Sequence, residues 1–154
     1  MCRGGTTIEM KLYPFYPKLL AFGGIILVGI GLYFLFFRPP LLPEDARYMG
    51  TTLAEIQVSV PGLPRWLQKV FWVMGGYIFT TGLLTIYIAF SSFQTRKRGA
   101  FPVIALAGLS SIGGMTVVNF IISSDFKWLL LVSAFPWVAA LILYQLENRS
   151  RNTD

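Results

Sequence analysis

Histidine is absent from this sequence, and cysteine occurs once, as Cys2. A zinc site built from cysteine and histidine, a haem held by histidine and a serine–histidine–aspartate triad all need residues that the chain lacks. A single cysteine also excludes a disulfide within the chain. We interpret Cys2 as an ordinary thiol, with lipidation as the alternative, although no apolar signal region precedes it.

Charged residues are also scarce, at 13% of the chain, whereas apolar residues make up 55%. Soluble domains typically carry about 25% charged residues, so this chain has too little polar surface to face water on every side. The net charge of +6 is compatible with nucleic-acid binding. However, the basic residues flank apolar segments instead of forming one polar surface. We therefore predict a membrane protein that does not bind nucleic acid.

Four uncharged apolar segments are each close to the roughly 20 residues that a helix needs to cross the hydrocarbon core. They lie at about 19–37, 70–90, 101–122 and 128–146. Because lipid offers no hydrogen-bond partners, each segment must satisfy its own backbone as a helix. We predict an all-α integral membrane four-helix bundle. Its single domain spans 19–146, between an N-terminal segment at 1–18 and a tail at 147–154.

The first of these spans is expected to remain in the mature protein. It is longer than the apolar region of a usual signal peptide, and no small-residue cleavage site follows it at Phe36 to Pro40. We interpret it as a retained anchor.

The basic residues indicate how the four spans are oriented. An even number of spans places both termini, and the turn between the second and third spans, on one side of the membrane. That side carries eight basic residues and the other carries five: Arg3, Lys11, Lys18, Arg96, Lys97, Arg98, Arg149 and Arg151, against Arg38, Arg47, Arg65, Lys69 and Lys127. Short cytoplasmic loops are rich in lysine and arginine. We therefore predict a bacterial inner-membrane protein with cytoplasmic termini and an outer loop at 38–69.

Small residues within the spans predict where helices approach closely. The first span has Gly24 and Gly31 on one face, and the second has Gly76 and Thr80 four residues apart, with Gly75 and Gly82 nearby. We interpret these faces as packing within the bundle, with a partner-binding face as the alternative. Trp137 lies deep in the fourth span and is expected to pack inside the bundle.

The spans contain no aspartate, glutamate, lysine or arginine. Transporters and proton pumps usually keep such groups inside the membrane, so ion-coupled transport is not expected. The most polar interior candidate is Asn119, for which we predict a hydrogen bond to a neighbouring helix, with a ligand contact as the alternative. The charged residues on the outer side match no metal or acid–base motif.

The outer loop at 38–69 contains a predicted amphipathic helix. Pro39 and Pro40 end the first span, whereas Pro43 suits the first turn of a new helix. At 100° per residue, one face is apolar and the other mostly polar: Ala46, Met49, Leu53, Ile56 and Val60, against Glu44, Arg47, Tyr48, Thr51 and Glu55. Such a helix lies on the membrane surface or caps the bundle. A charge at Met49 or Leu53 is therefore expected to destabilise the protein more than one at Thr51.

Several features occur together over about residues 19–146. They are glycines in the first span, prolines in the outer loop, Val73-Met74-Gly75-Gly76-Tyr77 with Gly82, the Arg96-Lys97-Arg98 turn, and Gly113-Gly114. This combination resembles the DoxX-like group of small four-helix bacterial membrane proteins. The resemblance implies a four-helix membrane bundle but no functional residue, since many members are uncharacterised. At Phe135-Pro136-Trp137 the chain departs from the acidic residue that many such relatives would have.

The sequence supports two functions of different classes. The first is a non-catalytic accessory, assembly or structural subunit of a larger membrane complex. The alternative is a small protein that binds or moves a lipid- or quinone-like molecule, with the outer helix as a lid. A membrane enzyme ranks last because no catalytic constellation is present.

The same sequence features indicate candidate contacts and partners. No catalytic residue, metal site or cofactor is predicted, and a bound lipid is compatible with the sequence. The expected partners are the lipid bilayer and either a membrane protein or a second copy of the chain. The candidate contacts to a partner or ligand are Glu44, Arg47, Thr51, Glu55, Asn119 and Asp125.

Overall fold

The computed structural model describes residues 15–151 of the chain, with side chains described as far as residue 149. The predictions for Cys2, Arg3 and Lys11 therefore lie outside the described residues. All regular elements in the described range are helices. They are α1 (Phe15–Phe36), α2 (Pro43–Tyr48), α3 (Leu53–Ser59), α4 (Leu63–Ile88), α5 (Ala100–Gly108), α6 (Gly114–Ile121) and α7 (Lys127–Arg151).

Two π-helical turns extend this framework. One, Ala89–Phe93, continues α4, and the other, Leu109–Gly113, joins α5 to α6 without a break. Four continuous helical stretches are then long and apolar enough to cross a membrane: Phe15–Phe36, Leu63–Phe93, Ala100–Ile121 and Lys127–Arg149. The predicted all-α, four-helix membrane class is confirmed.

The helices extend beyond the apolar segments from which they were predicted. The second stretch begins at Leu63 instead of near residue 70, and α7 continues to Arg151 instead of ending near residue 146. The apolar pattern marks only the part of a helix that faces hydrocarbon. Polar residues can continue the same helix into the headgroup region, where their side chains reach water.

The closest backbone contact in the bundle joins α1 to α4 through glycines that face each other. A Cβ built on Gly82 would lie 2.7 Å from the carbonyl oxygen of Gly24, and one built on Gly75 would lie 3.0 Å from that of Gly31. The prediction for Gly24 and Gly31 is confirmed. The partner positions on α4 are Gly75 and Gly82, whereas Gly76 has no atom within 4 Å of the added Cβ.

Trp137 on α7 packs against α5. Its indole is buried, and its Nε1 donates a hydrogen bond to the Ile104 carbonyl of α5 at 3.0 Å. A Cβ on Gly108 would overlap this indole ring, so the glycine makes the space that the tryptophan fills. The prediction that Trp137 packs inside the bundle is confirmed.

The outer loop differs from its prediction, because it holds two short helices instead of one. Helix α2 ends at Tyr48, and Gly50 then adopts a left-handed φ of +72°, which glycine reaches without steric cost. Thr52 caps the new helix α3, accepting a hydrogen bond from the Glu55 N–H at 3.2 Å. Since the helical phase is interrupted, the predicted apolar stripe is broken.

The side chains of the loop are buried as the two short helices require, and not as one continuous apolar stripe would predict. Ala46 and Ile56 are buried as predicted, but Met49 is 50% exposed. Glu44 was predicted on the polar face, opposite the apolar stripe, yet it is only 5% exposed. The local periodicity placed Glu44 incorrectly because its burial depends on a distant segment of the chain, described below.

Replacing Ile56 by lysine is therefore expected to lower the free energy of unfolding by about 2 kcal/mol or more, the range for losing a buried isoleucine. Val58 provides the matched control, since it lies on the same helix and is 82% exposed. Val58→Lys should change stability by less than about 1 kcal/mol. Met49→Lys should also change it by less than about 1 kcal/mol, because the exposure of Met49 removes the reason for the larger loss expected from the sequence. Unfolding titrations in detergent would measure all three. Equal losses at residues 56 and 58 would contradict the observed packing of α3.

Candidate functional site

A cavity of about 660 Å³ lies beneath α2, in the half of the bundle opposite the Arg96 turn. Its walls come mainly from α1 and α6, with further side chains from α4 and α7. Most of the lining is apolar: Ile26, Gly29, Ile30, Tyr33, Phe34, Leu42, Met74, Gly114, Met115, Val118, Ile122, Phe126, Leu129 and Leu130, together with the polar residues Arg38, Glu44, Asp45 and Asn119.

The cavity exists because α1 and α6 do not pack against each other. Helix α1 packs along α4 and α7, whereas it makes almost no direct contact with α6. Gly29 on α1 lines the cavity and has no atom within 4 Å of an added Cβ. Between α1 and α6, the missing helix contact is replaced by a space large enough for a small molecule.

The π turn at Leu109–Gly113 determines which face of α6 borders this space. A π turn holds one more residue than an α turn would, so the residues after it are rotated about the helix axis. Met115, Val118 and Asn119, spaced three and four residues apart, lie along the cavity wall. π turns often occur at functional sites, and this one lies immediately before the cavity-lining part of the third span.

Arg38 lies at the polar end of the cavity and is already bound on several sides. Its Nη1 donates to the Pro39 carbonyl at 3.0 Å, and its Nη2 lies 3.6 Å from Asp45 Oδ2. The guanidinium carbon is 3.6 Å from the centroid of the Phe71 ring, a cation–π geometry. Burial lowers the pKa of Arg38, and the charge of Asp45 opposes that change.

Asp45 and Leu42 hold the start of α2 in place beside Arg38. The Leu42 N–H donates to Asp45 Oδ2 at 2.8 Å, which satisfies an amide that the helix itself leaves free. One carboxylate oxygen therefore serves both the helix start and the arginine.

Glu44 ties α2 to the turn between α6 and α7. The Ser124 hydroxyl donates to Glu44 Oε1 at 2.7 Å, and the Asp125 N–H donates to Oε2 at 3.1 Å. Both Glu44 and Ser124 are buried. Close by, Arg47 forms an exposed ion pair with Asp125, with Nη2 3.2 Å from Oδ1. These bonds hold α2 as a roof over the cavity.

The six predicted contact residues separate into three groups. Glu44, Arg47 and Asp125 come together at the roof. Thr51 and Glu55 instead pair with each other at the start of α3, with Thr51 Oγ1 donating to Glu55 Oε2 at 2.7 Å. Hydrogen bonds from Thr51, and then from Thr52, lower the pKa of the exposed Glu55 carboxyl. Glu55 forms the capping box of α3 with Thr52, and Thr51 bonds to the same carboxylate.

Asn119 lines the cavity, but its hydrogen bond differs from the prediction. Its Nδ2 donates to the Met115 carbonyl at 2.9 Å, one turn earlier in the same helix. The predicted bond to a neighbouring helix is therefore wrong. An amide that bonds to its own helix stays beside the cavity, where a ligand can reach it.

Arg38 and Ser124 belong to the site and were not predicted. Arg38 was used only to count charges, although a cation directly after an apolar span is a signal for the polar end of a cavity. Ser124 gives no local signal, because its partner Glu44 is 80 residues away. Among the described residues, no three side chains of aspartate, glutamate or cysteine are grouped as metal ligands.

A second polar contact ties the opposite end of the bundle together. Arg96 Nε donates to the Tyr16 hydroxyl at 3.1 Å, and its Nη2 lies 3.0 Å from Glu147 Oε2. Tyr144 stacks on Phe93 in the same cluster, with ring centroids 4.6 Å apart. Arg96 thus connects α1, the turn before α5, and α7, while its neighbours Lys97 and Arg98 remain exposed.

These features define a small all-α integral membrane protein with a mostly apolar cavity that α2 covers at its polar end. No family model, curated protein or solved structure matches the chain. The resemblance to the DoxX-like group stays a prediction.

Proposed function

We propose that this protein binds a lipid-like amphiphilic molecule in the cavity beneath α2. The observation that supports this is the cavity itself, about 660 Å³, with its polar residues at one end. Ligand sites commonly have volumes of about 300–1,000 Å³, apolar walls and a few polar groups that orient the ligand. An apolar chain would lie between α1 and α6, and a polar head would lie near Arg38, Glu44 and Asn119.

We also infer a bacterial inner membrane as the location, with both termini in the cytoplasm. The exposed Lys97 and Arg98 favour a cytoplasmic position for their short turn. The polar end of the cavity, at the opposite end of the helices, then lies at the outer leaflet. A lipid-like molecule in that leaflet would reach the cavity from the side without crossing the membrane.

An accessory subunit of a larger membrane complex is the second candidate function. It is favoured by apolar side chains that are exposed on α2 and α3 or directly after them, outside the four spans: Tyr48, Met49, Val58 and Val60. A partner membrane protein or a second copy of the chain would cover them. Insertion of the same side chains into the headgroup region is the competing explanation.

Native mass spectrometry of the protein, purified from its own membrane in mild detergent, would test the primary proposal. We expect a molecule of lipid-like mass that remains after the bulk lipid is removed. Asn119→Leu should reduce the occupied fraction, because the variant removes a polar group from the cavity wall. Val117→Leu is the matched control, since Val117 lies on the same helix and is exposed.

The possible results separate the two functions. A folded protein that appears only at its unliganded mass would contradict binding in the cavity. A protein subunit that co-purifies in fixed ratio, with the cavity empty, would favour the accessory role instead.

A further inference from the structure

The charges at the polar end of the cavity restrict the head group of the ligand. Among the described residues, three charged side chains line the cavity: Arg38, Glu44 and Asp45. They add up to one negative charge. The other nearby ion pair, Arg47 with Asp125, is exposed and balanced.

The single cation already has partners within the protein. Its guanidinium donates to the Pro39 carbonyl, pairs with Asp45 and packs over the Phe71 ring. A carboxylate or phosphate that bound Arg38 would compete with Asp45, whose partly buried carboxylate pairs with this arginine. Weakening the ion pair of a partly buried charge is unfavourable.

The carboxylates, in contrast, can accept further hydrogen bonds. Glu44 receives one bond on each oxygen, from Ser124 and from the Asp125 N–H. A carboxylate offers about four acceptor positions, so unused acceptor capacity remains beside the cavity. Asn119 adds an amide, whose Nδ2 is already bonded to its own helix. This end of the cavity therefore offers acceptors that a donating head group can use.

We propose that the ligand head is a hydrogen-bond donor without negative charge, such as the hydroxyl of a long-chain alcohol or the ammonium of a long-chain amine. This inference rests on the proposed binding function. A head of this kind donates to the carboxylates and leaves the Arg38–Asp45 pair intact. An ionised fatty acid of the same chain length meets a net negative charge and a cation that is already paired with Asp45.

A matched series of ligands tests the inference: hexadecanol, hexadecylamine and hexadecanoate, added to the lipid-stripped full-length protein at pH 8. Native mass spectrometry of a titration with each ligand gives their relative affinities. We expect the alcohol and the amine to bind at least tenfold more tightly than the carboxylate. Hexadecanoate binding as well as hexadecanol would overturn the inference while leaving the binding function in place. Failure of all three to bind would overturn the binding function itself.

Asp45→Asn identifies the origin of the selectivity. Its amide oxygen can still accept from the Leu42 N–H, but the change removes the negative charge paired with Arg38. We expect hexadecanoate to gain about tenfold in affinity, so that the difference from hexadecanol narrows. Glu55→Gln is the control, since it removes the same charge from the same loop without lining the cavity. If Asp45→Asn still prefers hexadecanol over hexadecanoate by the same factor, the preference does not come from these charges and the inference is overturned. If Glu55→Gln loses the preference to the same extent as Asp45→Asn, the cause is a general effect of surface charge, which overturns the inference as well.

Discussion

Gly82→Ala is expected to be among the most destabilising single substitutions in this protein, with a loss of about 3 kcal/mol, the upper part of the range for overpacked cores. The added Cβ would lie 2.7 Å from both the Gly24 carbonyl oxygen and the Val28 nitrogen. Both are backbone atoms, so no side-chain rotation can relieve the overlap. Helices α1 and α4 would have to separate along their closest contact.

Gly76→Ala is the matched control on the same helix. No atom lies within 4 Å of the added Cβ at that position, and alanine is more favourable than glycine within a helix by about 1 kcal/mol. We expect Gly76→Ala to be neutral or stabilising. Unfolding free energies measured in bicelles would compare the two variants. A similar loss in both would contradict the assignment of Gly82 to the interface.

The sequence predicted the α1 side of this interface, but on α4 it favoured Gly76 over Gly75 and Gly82. Gly24 and Gly31 are seven residues apart on α1, and Gly75 and Gly82 are seven residues apart on α4. Two helices that approach closely over two turns need small residues at matching intervals on both. The choice of Gly76 and Thr80 followed the four-residue spacing on one helix and ignored the match between helices.

The number and class of the spans were predictable because hydrocarbon imposes a length and an apolar composition on each helix separately. The cavity was not predictable in this way, because it results from two helices that fail to touch. Its roof was predicted only partly. Local periodicity identified Ala46 and Ile56 as buried, but the burial of Glu44 depends on Ser124, far along the chain.

Gly29→Phe is expected to close the cavity and reduce ligand occupancy by at least tenfold. Gly29 lies on the α1 wall of the cavity, and no atom lies within 4 Å of a Cβ added there. A benzyl group can therefore enter the cavity without displacing the backbone. It would occupy the space between α1 and α6 in which the proposed apolar chain lies, while the α1–α4 contact at Gly24 and Gly31 remains.

The same replacement at Gly76 provides the control, since that glycine is also unobstructed but does not line the cavity. Gly76→Phe should retain the bound molecule at the occupancy of the unmodified protein. Native mass spectrometry gives the occupied fraction, and unfolding in bicelles shows whether each variant is folded. Because both variants add the same aromatic group to a transmembrane helix, a general effect on folding would lower occupancy in both. Full occupancy in a folded Gly29→Phe protein would place the ligand outside the cavity and refute the proposed site.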